Sequence, residues 1–162
     1  TSPAMTGSAV VAPVVVPGAT RLVGAAAAGQ RLGALGVPVP PGRVVAADRV
    51  LIPLHCEYFA LEGLADLVGT MRRVRAGMNP GLDIEGVLLT MSDERTNLGQ
   101  QVARDVREFF KEKVYSTVIP RNVRLAEAPS HGMPVITYDA RSRGAEAYSA
   151  FAAEFRQRQQ AV

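Results

Sequence analysis

Three arginines follow apolar segments of strand length, at positions where a side chain could bind an anion. Arg95 comes shortly after the segment 84–91, and Arg121 and Arg124 follow the segment 114–119. A guanidinium group donates paired hydrogen bonds to carboxylates and phosphates. Parallel sheets collect ligand sites beyond the carboxyl ends of their strands. The two loops are therefore candidates for an anionic ligand. The alternative is a solvated loop with ordinary salt bridges, for which the nearby acids are Asp93, Glu94 and Glu127.

The chain shows no phosphate-binding loop of the nucleoside triphosphatase type. Such a loop needs glycines that bring backbone N–H groups onto phosphate, a lysine for the terminal phosphates and a Ser or Thr for magnesium. The lysines of this chain are Lys111 and Lys113, and neither follows a glycine. The Gly- and Ala-rich stretch 24–36 has no lysine and is typical of low complexity. We therefore assign no catalytic residue.

Nucleophilic and metal chemistry are also poorly supported. Ser130 and His131 are neighbours, but a catalytic arrangement needs a third group and an oxyanion site. Cys56 beside His55 could be read as a reactive thiolate, although a single cysteine next to an apolar strand is more typical of a core. No pair of His and Cys residues has the spacing of a zinc site. The sequence predicts no metal site.

The elements that position these residues alternate between strands and helices. Apolar segments at 50–54, 84–91 and 114–119 predict strands. A stripe of apolar residues predicts a helix after the first strand, with inward residues Leu61, Leu64, Leu67, Val68, Met71, Val74 and Met78. A second stripe predicts a helix after the next strand, with inward residues Leu98, Val102, Val106 and Phe109. A last helix is expected from about Gly144. This order predicts an α/β fold with a mainly parallel sheet flanked by helices.

Composition divides the chain at about residue 42. Residues 1–42 contain no acid, carry Arg21 and Arg31 as their charges, and hold six prolines and seven glycines. We expect this segment to be irregular and assign it no fold. Residues 43–162 form the predicted domain, with sixteen basic and fifteen acidic residues. This balance excludes a polybasic protein, so a nucleic-acid site would have to be a local patch. No apolar run approaches the ~20 residues that span a bilayer.

Three segments together resemble the ParA/Soj family of chromosome and plasmid partitioning ATPases, which have a deviant Walker A P-loop. They are residues 45–64, residues 84–91 with 95–98, and residues 118–125 with 127–132. The likeness extends from about Val45 to Phe155 and implies the C-terminal part of a P-loop-type ATPase domain. His55 stands where the family usually has Gln, and Met133 where a Lys is common, which removes a possible phosphate contact.

The resemblance implies a function that composition does not. In the family, ATP with Mg²⁺ drives a homodimer that binds DNA non-specifically, and a ParB-like partner stimulates ATP hydrolysis. The resemblance assigns Pro120, Arg121 and Asn122 to the nucleotide base, with Met91 as a further candidate. It assigns Arg95 and Arg124 to DNA. We expect a cytoplasmic, nucleoid-associated protein without a membrane partner.

The stretch before Val45 departs from the family. The family's Lys-Gly-Gly-Val-Gly-Lys-Thr loop and Asp-Cys-Pro-Pro segment should precede Val45, and neither is present in this sequence. We therefore expect a truncated family member that does not bind ATP productively alone. Two alternatives remain. One is a non-catalytic DNA-binding or dimerisation module. The other is a MinD-type membrane-positioning ATPase, which is disfavoured because residues 155–162 do not have the pattern of an amphipathic membrane helix.

Overall fold

The computed structural model of the chain describes residues 13–15, 21–24, 45, 47–93 and 95–160. They form a sheet of five strands in the order β1-β2-β3-β4-β5. The strands are β1 (Pro13–Val15), β2 (Arg21–Gly24), β3 (Arg49–His55), β4 (Asp83–Ser92) and β5 (Val114–Pro120). β1 pairs antiparallel with β2, and the other neighbours are parallel.

Helices cover both faces of β4 and β5. α1 (Tyr58–Gly77) and α2 (Asn97–Phe110) lie on one face, and α5 (Arg143–Gln160) lies on the other. Two short helices, α3 (Val123–Glu127) and α4 (Val135–Tyr138), connect β5 to α5. The centre of β4 is buried over five consecutive residues because it is covered on both sides, as expected for an internal parallel strand.

Two apolar clusters hold these layers together. The larger joins alternate residues of β3, such as Ile52 and Leu54, to the apolar stripe of α1 and to Val102 and Val106 of α2. The smaller centres on Tyr115, whose ring meets Phe151 edge to face at 4.9 Å between centroids. Packing from both sides fixes the register of β4 and β5, and so fixes where their carboxyl ends lie.

The α/β fold class is confirmed, and strands β3 to β5 begin and end within a residue or two of the expected segments. The prediction that Met78, Leu98 and Phe109 are buried is wrong. Met78 follows the end of α1, and Leu98 and Phe109 are exposed because α2 buries only the narrow face of Gly99, Val102 and Val106.

The N-terminal segment also differs from expectation. Residues 1–42 were expected to be irregular, yet β1 and β2 lie within them and β2 pairs with β3. The remainder of that segment lies outside the described residues, and the division of the chain at residue 42 stays a prediction. None of the helices in the described ranges has the length and apolar content that a membrane crossing requires.

Candidate functional site at the carboxyl ends of the strands

The carboxyl ends of β3, β4 and β5 are joined by backbone hydrogen bonds. The N–H of Cys56 donates to the carbonyl of Thr90 at 3.0 Å, and the N–H of Arg121 donates to the carbonyl of Ser92 at 2.9 Å. Met91 has a φ of 53°, in the left-handed region that non-glycine residues rarely adopt. Such backbone strain is concentrated at functional sites. The two hydrogen bonds join the three strand ends into one continuous rim.

A cleft of about 750 Å³ opens between this rim and the beginning of α5. It is lined by three of the six residues that the sequence indicated, Arg95, Pro120 and Arg121. Met91, Asn122 and Arg124 are not part of its lining. Arg143, at the start of α5, also lines the cleft, although it was not among the predicted site residues.

Arg121 extends from the end of β5 towards the end of β3. Its Nη2 lies 3.0 Å from Oε1 of Glu57, and both side chains are about half exposed. This ion pair spans the end of β4, the strand between them. Glu57 was not among the predicted site residues, although applying the strand-end rule to β3 would have found it. The ion pair holds the guanidinium group of Arg121 over the rim.

Asn122 and Arg124 belong to a local network beside the cleft. Oδ1 of Asn122 accepts the N–H of Arg124 at 2.8 Å, which caps α3. The guanidinium group of Arg124 lies 2.8 Å from Glu127 and 3.2 Å from Asp139. The hydrogen bond to Glu127, more than any other contact, raises the pKa of Arg124. The salt bridge to Glu127 that the solvated-loop alternative predicted is therefore present.

Arg95 differs from the other two arginines in its surroundings. Its backbone N–H donates to Oδ1 of Asp93 at 3.0 Å, which shapes the loop after β4. Its exposed guanidinium group forms no ion pair with any residue in the described ranges. A neighbouring phosphate or carboxylate could therefore be bound without first breaking a salt bridge to those residues.

The described residues fit only one part of a bound nucleoside triphosphate and its metal. Pro120 and Arg121 offer a ring and a planar guanidinium group on which a base could lie. No described residue supplies the lysine of a phosphate-binding loop there, because Lys111 and Lys113 precede β5 at its opposite end. No group of three His, Cys, Asp or Glu side chains in the described ranges could hold a metal ion. The fit is therefore to a base and not to the triphosphate or magnesium.

The other reactive side chains have local roles. Burial raises the pKa of the Cys56 thiol, against the opposing effects of its hydrogen bond with Ser92 and the charge of Arg107. Such a thiol is a poor nucleophile. Ser130 donates its Oγ hydrogen to the carbonyl of Glu127 at 2.6 Å, and the His131 ring stacks on Tyr138. These contacts agree with core and turn roles.

Several relatives match about two thirds of the chain. The chain is 61% identical to the sporulation initiation inhibitor protein Soj of Bacillus subtilis over 111 residues, which are 68% of this chain and 44% of that protein. It is 56% identical to the chromosome partitioning protein ParA of Caulobacter vibrioides, over 68% of this chain and 42% of that protein. The chain thus spans less than half the length of these relatives.

Solved structures agree on the fold. A cobyrinic acid a,c-diamide synthase from Mycobacterium smegmatis superimposes with a TM-score of 0.52 at 30% identity, covering 75% of this chain and 41% of that one. The same enzyme is known with ADP and magnesium bound. A Cyanothece McdA variant in complex with ATP gives a TM-score of 0.55 at 16% identity over 74% of this chain and 44% of that one, a likeness of fold alone.

The family itself is identified by a match over most of the chain. Residues 6–135 match the sequence profile of the CobQ/CobB/MinD/ParA nucleotide binding domain. That match includes the segment before Val45, to which sequence reasoning assigned no fold. The chain belongs to this nucleotide-binding family and, by its relatives, to the ParA/Soj type of partitioning ATPases within it.

Proposed function

We propose that this chain is the part of a ParA-like partitioning protein that contains the base side of a nucleotide site and the DNA-facing arginines. The observation that carries the proposal is the meeting of Arg95, Pro120 and Arg121 in one cleft at the carboxyl ends of β4 and β5. A relative named for chromosome partitioning, the ParA of Caulobacter vibrioides, matches 68% of this chain. The proposed process is the segregation of chromosomes or plasmids.

In this proposal the nucleotide base lies against Pro120, Arg121 and Asn122, with Met91 near its edge. In the longer relatives, bound ATP with Mg²⁺ would drive dimerisation; in this chain, Arg121, held by Glu57, would orient the base. The lysine that neutralises the terminal phosphates has no counterpart here. The proposed partners are a second copy, DNA and a ParB-like protein, in the cytoplasm at the nucleoid and without a membrane.

DNA binding is proposed to rest on Arg95 and Arg124. Both follow the ends of strands on the same rim, and both are exposed to solvent. Arg124 would exchange or share its contacts with Glu127 and Asp139 when a phosphate approaches. Contacts of this kind neutralise phosphates and do not read bases, so binding should be independent of sequence and sensitive to salt.

The test is the salt dependence of duplex binding by the 162-residue chain. Two unrelated duplexes should bind equally, and Arg95→Ala and Arg124→Ala should each lower the slope of log affinity against log salt by roughly one. The matched control is Arg156→Ala, which removes an exposed guanidinium of α5. Unaltered slopes for Arg95→Ala and Arg124→Ala would remove these residues from the DNA site. Thermal melting of the same samples shows whether Arg124→Ala acts through lost salt bridges instead.

A second candidate is a DNA-binding or dimerisation module that does not use nucleotide. The observation that favours it is the absence of lysine from residues 1–110, which leaves no counterpart of the family's phosphate loop. The two functions differ in their response to ATP. In the partitioning proposal, ATP protects the rim around Pro120 from hydrogen exchange through its base, with or without magnesium, whereas the nucleotide-free module shows no protection.

A further inference from the structure

A second cleft lies on the α2 face of the sheet, opposite the α5 face. It has a volume of about 320 Å³ between α2 and the carboxyl ends of β4 and β5. Its lining comprises Leu89, Ser92, Gly99, Gln100, Ala103, Arg104, Arg107 and Val118. No role was assigned to it by the sequence motifs or by the proposed function.

Charge distinguishes this second cleft from the first. Arg104 and Arg107 are three residues apart on α2, so both side chains leave the same side of the helix. No carboxylate lines the second cleft. In the first cleft, by contrast, Asp93 and Glu146 accompany the arginines. The second cleft is therefore positive in its immediate lining.

The two guanidinium groups are not neutralised by carboxylates within the described part of the chain. Nη2 of Arg104 donates to the amide oxygen of Gln101 at 2.7 Å, and an amide carries no compensating charge. Arg107 is exposed, and its charge acts on the Cys56 thiol at the end of β3. Asp105 is engaged instead by Nε2 of Gln101 at 2.7 Å. Both positive charges thus remain available at the mouth of the cleft.

We propose that this second cleft binds a phosphate group through Arg104 and Arg107. Each guanidinium can present two N–H donors to one phosphate in the fork geometry that arginine favours. The Ser92 hydroxyl, at the end of β4, can add a further donor or acceptor. The cavity has room for inorganic phosphate or for a diphosphate together with water molecules. This site shares Ser92 and Val118 with the first cleft but contains none of Pro120, Arg121 and Arg95.

The test is calorimetric titration of the 162-residue chain with inorganic phosphate and with pyrophosphate at constant ionic strength. We expect saturable binding with one site per chain. Arg104→Ala and Arg107→Ala should each weaken it about tenfold, which corresponds to ~1.4 kcal/mol. Arg107→Lys should retain part of the affinity, because lysine keeps the positive charge but lacks the paired donors of the guanidinium group. Arg156→Ala, which removes an exposed arginine of α5, should bind as the unchanged chain does.

Two results would overturn the site. One is the absence of saturable phosphate binding by a folded chain, verified by circular dichroism. The other is an equal loss of affinity in Arg107→Ala and Arg156→Ala, which would reveal general charge screening. A short DNA duplex added to the phosphate-loaded chain shows which kind of phosphate the site prefers. Displacement of the bound phosphate points to a nucleic-acid phosphate, and its retention points to a free phosphate. Both outcomes support the site. If phosphate does not bind but Arg95→Ala still alters the salt dependence of DNA affinity, the second site is removed and the proposed function stands.

Discussion

Glu154 of α5 ties this helix to the outermost strand of the described sheet. Its carboxylate accepts the backbone N–H groups of Ser116 and Thr117, each at 2.8 Å, and the Oγ1 hydrogen of Thr117 at 2.7 Å. Arg158 donates a further hydrogen bond at 2.8 Å. The side chain thus satisfies donors at an edge that would otherwise be open to pairing with another strand. We predict that Glu154→Ala is strongly destabilising.

The magnitude follows from the number and exposure of these bonds. Hydrogen bonds to a charged group contribute ~1.5–3 kcal/mol each. The freed N–H groups lie at an edge where water can replace the carboxylate, and the Glu154 side chain is 18% exposed, so the four contributions do not add in full. We expect a loss of roughly 2–3 kcal/mol in the free energy of unfolding, which lowers Tm by roughly 5–10 °C for a chain of this size.

Urea denaturation of the purified variants measures this loss. The matched control is Glu146→Ala, an exposed acid on the same helix whose side chain forms no hydrogen bond with residues in the described ranges, and it should change stability by less than ~0.5 kcal/mol. Glu154→Gln should lie between the two because it keeps an acceptor and loses the charge. A Glu154→Ala variant as stable as the unchanged chain would refute the reasoning.

The same contribution should depend on pH. Burial acts to raise the pKa of Glu154, but the hydrogen bonds from Ser116, Thr117 and Arg158 outweigh it and hold the pKa below its ordinary value of 4.5. A lowered pKa in the folded state means that the stabilisation is fully present above the unfolded value and is lost as pH falls through the folded value. The stability difference between the unchanged chain and Glu154→Gln should therefore be constant near pH 7 and shrink below about pH 4.5. A difference that grows on acidification would contradict the sign.

Three further predictions concern the sheet and its chemistry. Glu85→Ala should cost ~1–3 kcal/mol by urea denaturation, because the carboxylate is 3% exposed and accepts hydrogen bonds from Arg49 at 3.1 Å and Gln159 at 2.6 Å, although Arg49 is itself 34% exposed; a loss under ~0.5 kcal/mol would argue against it. Gly86→Ala should destabilise by ~1–3 kcal/mol, because a Cβ would lie 2.5 Å from the Tyr115 ring and 2.9 Å from the Lys113 carbonyl oxygen; an unchanged Tm would contradict it. Steady-state assays of the chain should give background ATP hydrolysis, because no lysine is placed to neutralise the transferring phosphoryl group; magnesium-dependent turnover that survives repurification would overturn this expectation.

Periodicity in the sequence predicted the elements better than it predicted which of their residues are buried. The apolar stripe of α2 is real, but Phe109 is 68% exposed and Leu98 is 54% exposed. A period of 3.6 identifies the residues that share one side of a helix. How much of that side is covered depends on neighbouring elements far along the chain. Here the sheet covers only the line through Val102 and Val106.

The candidate site shows a similar division between local and distant information. The rule that ligands bind beyond strand ends directed attention to Arg95 and Arg121, and the cleft contains both. The same rule applied to β3 would have directed attention to Glu57, but it could not show that Glu57 pairs with Arg121, 64 residues away along the chain. Nor could it indicate that Arg143 lines the same cleft, because that contact depends on how α5 packs on β5.

Residue-resolved mapping of the DNA surface tests the account most directly. Amide ¹H–¹⁵N spectra of the chain, titrated with a short duplex, should change in the loops 92–97 and 120–125 at the carboxyl ends of the strands. Competing basic surfaces are the exposed cluster Arg72, Arg73 and Arg75 near the end of α1 and the pair Arg104 and Arg107 on α2. Shifts confined to the two loops, and diminished by Arg95→Ala, are the predicted result. Shifts that centre on the end of α1 or on α2 and leave both loops unchanged would contradict the proposed DNA site.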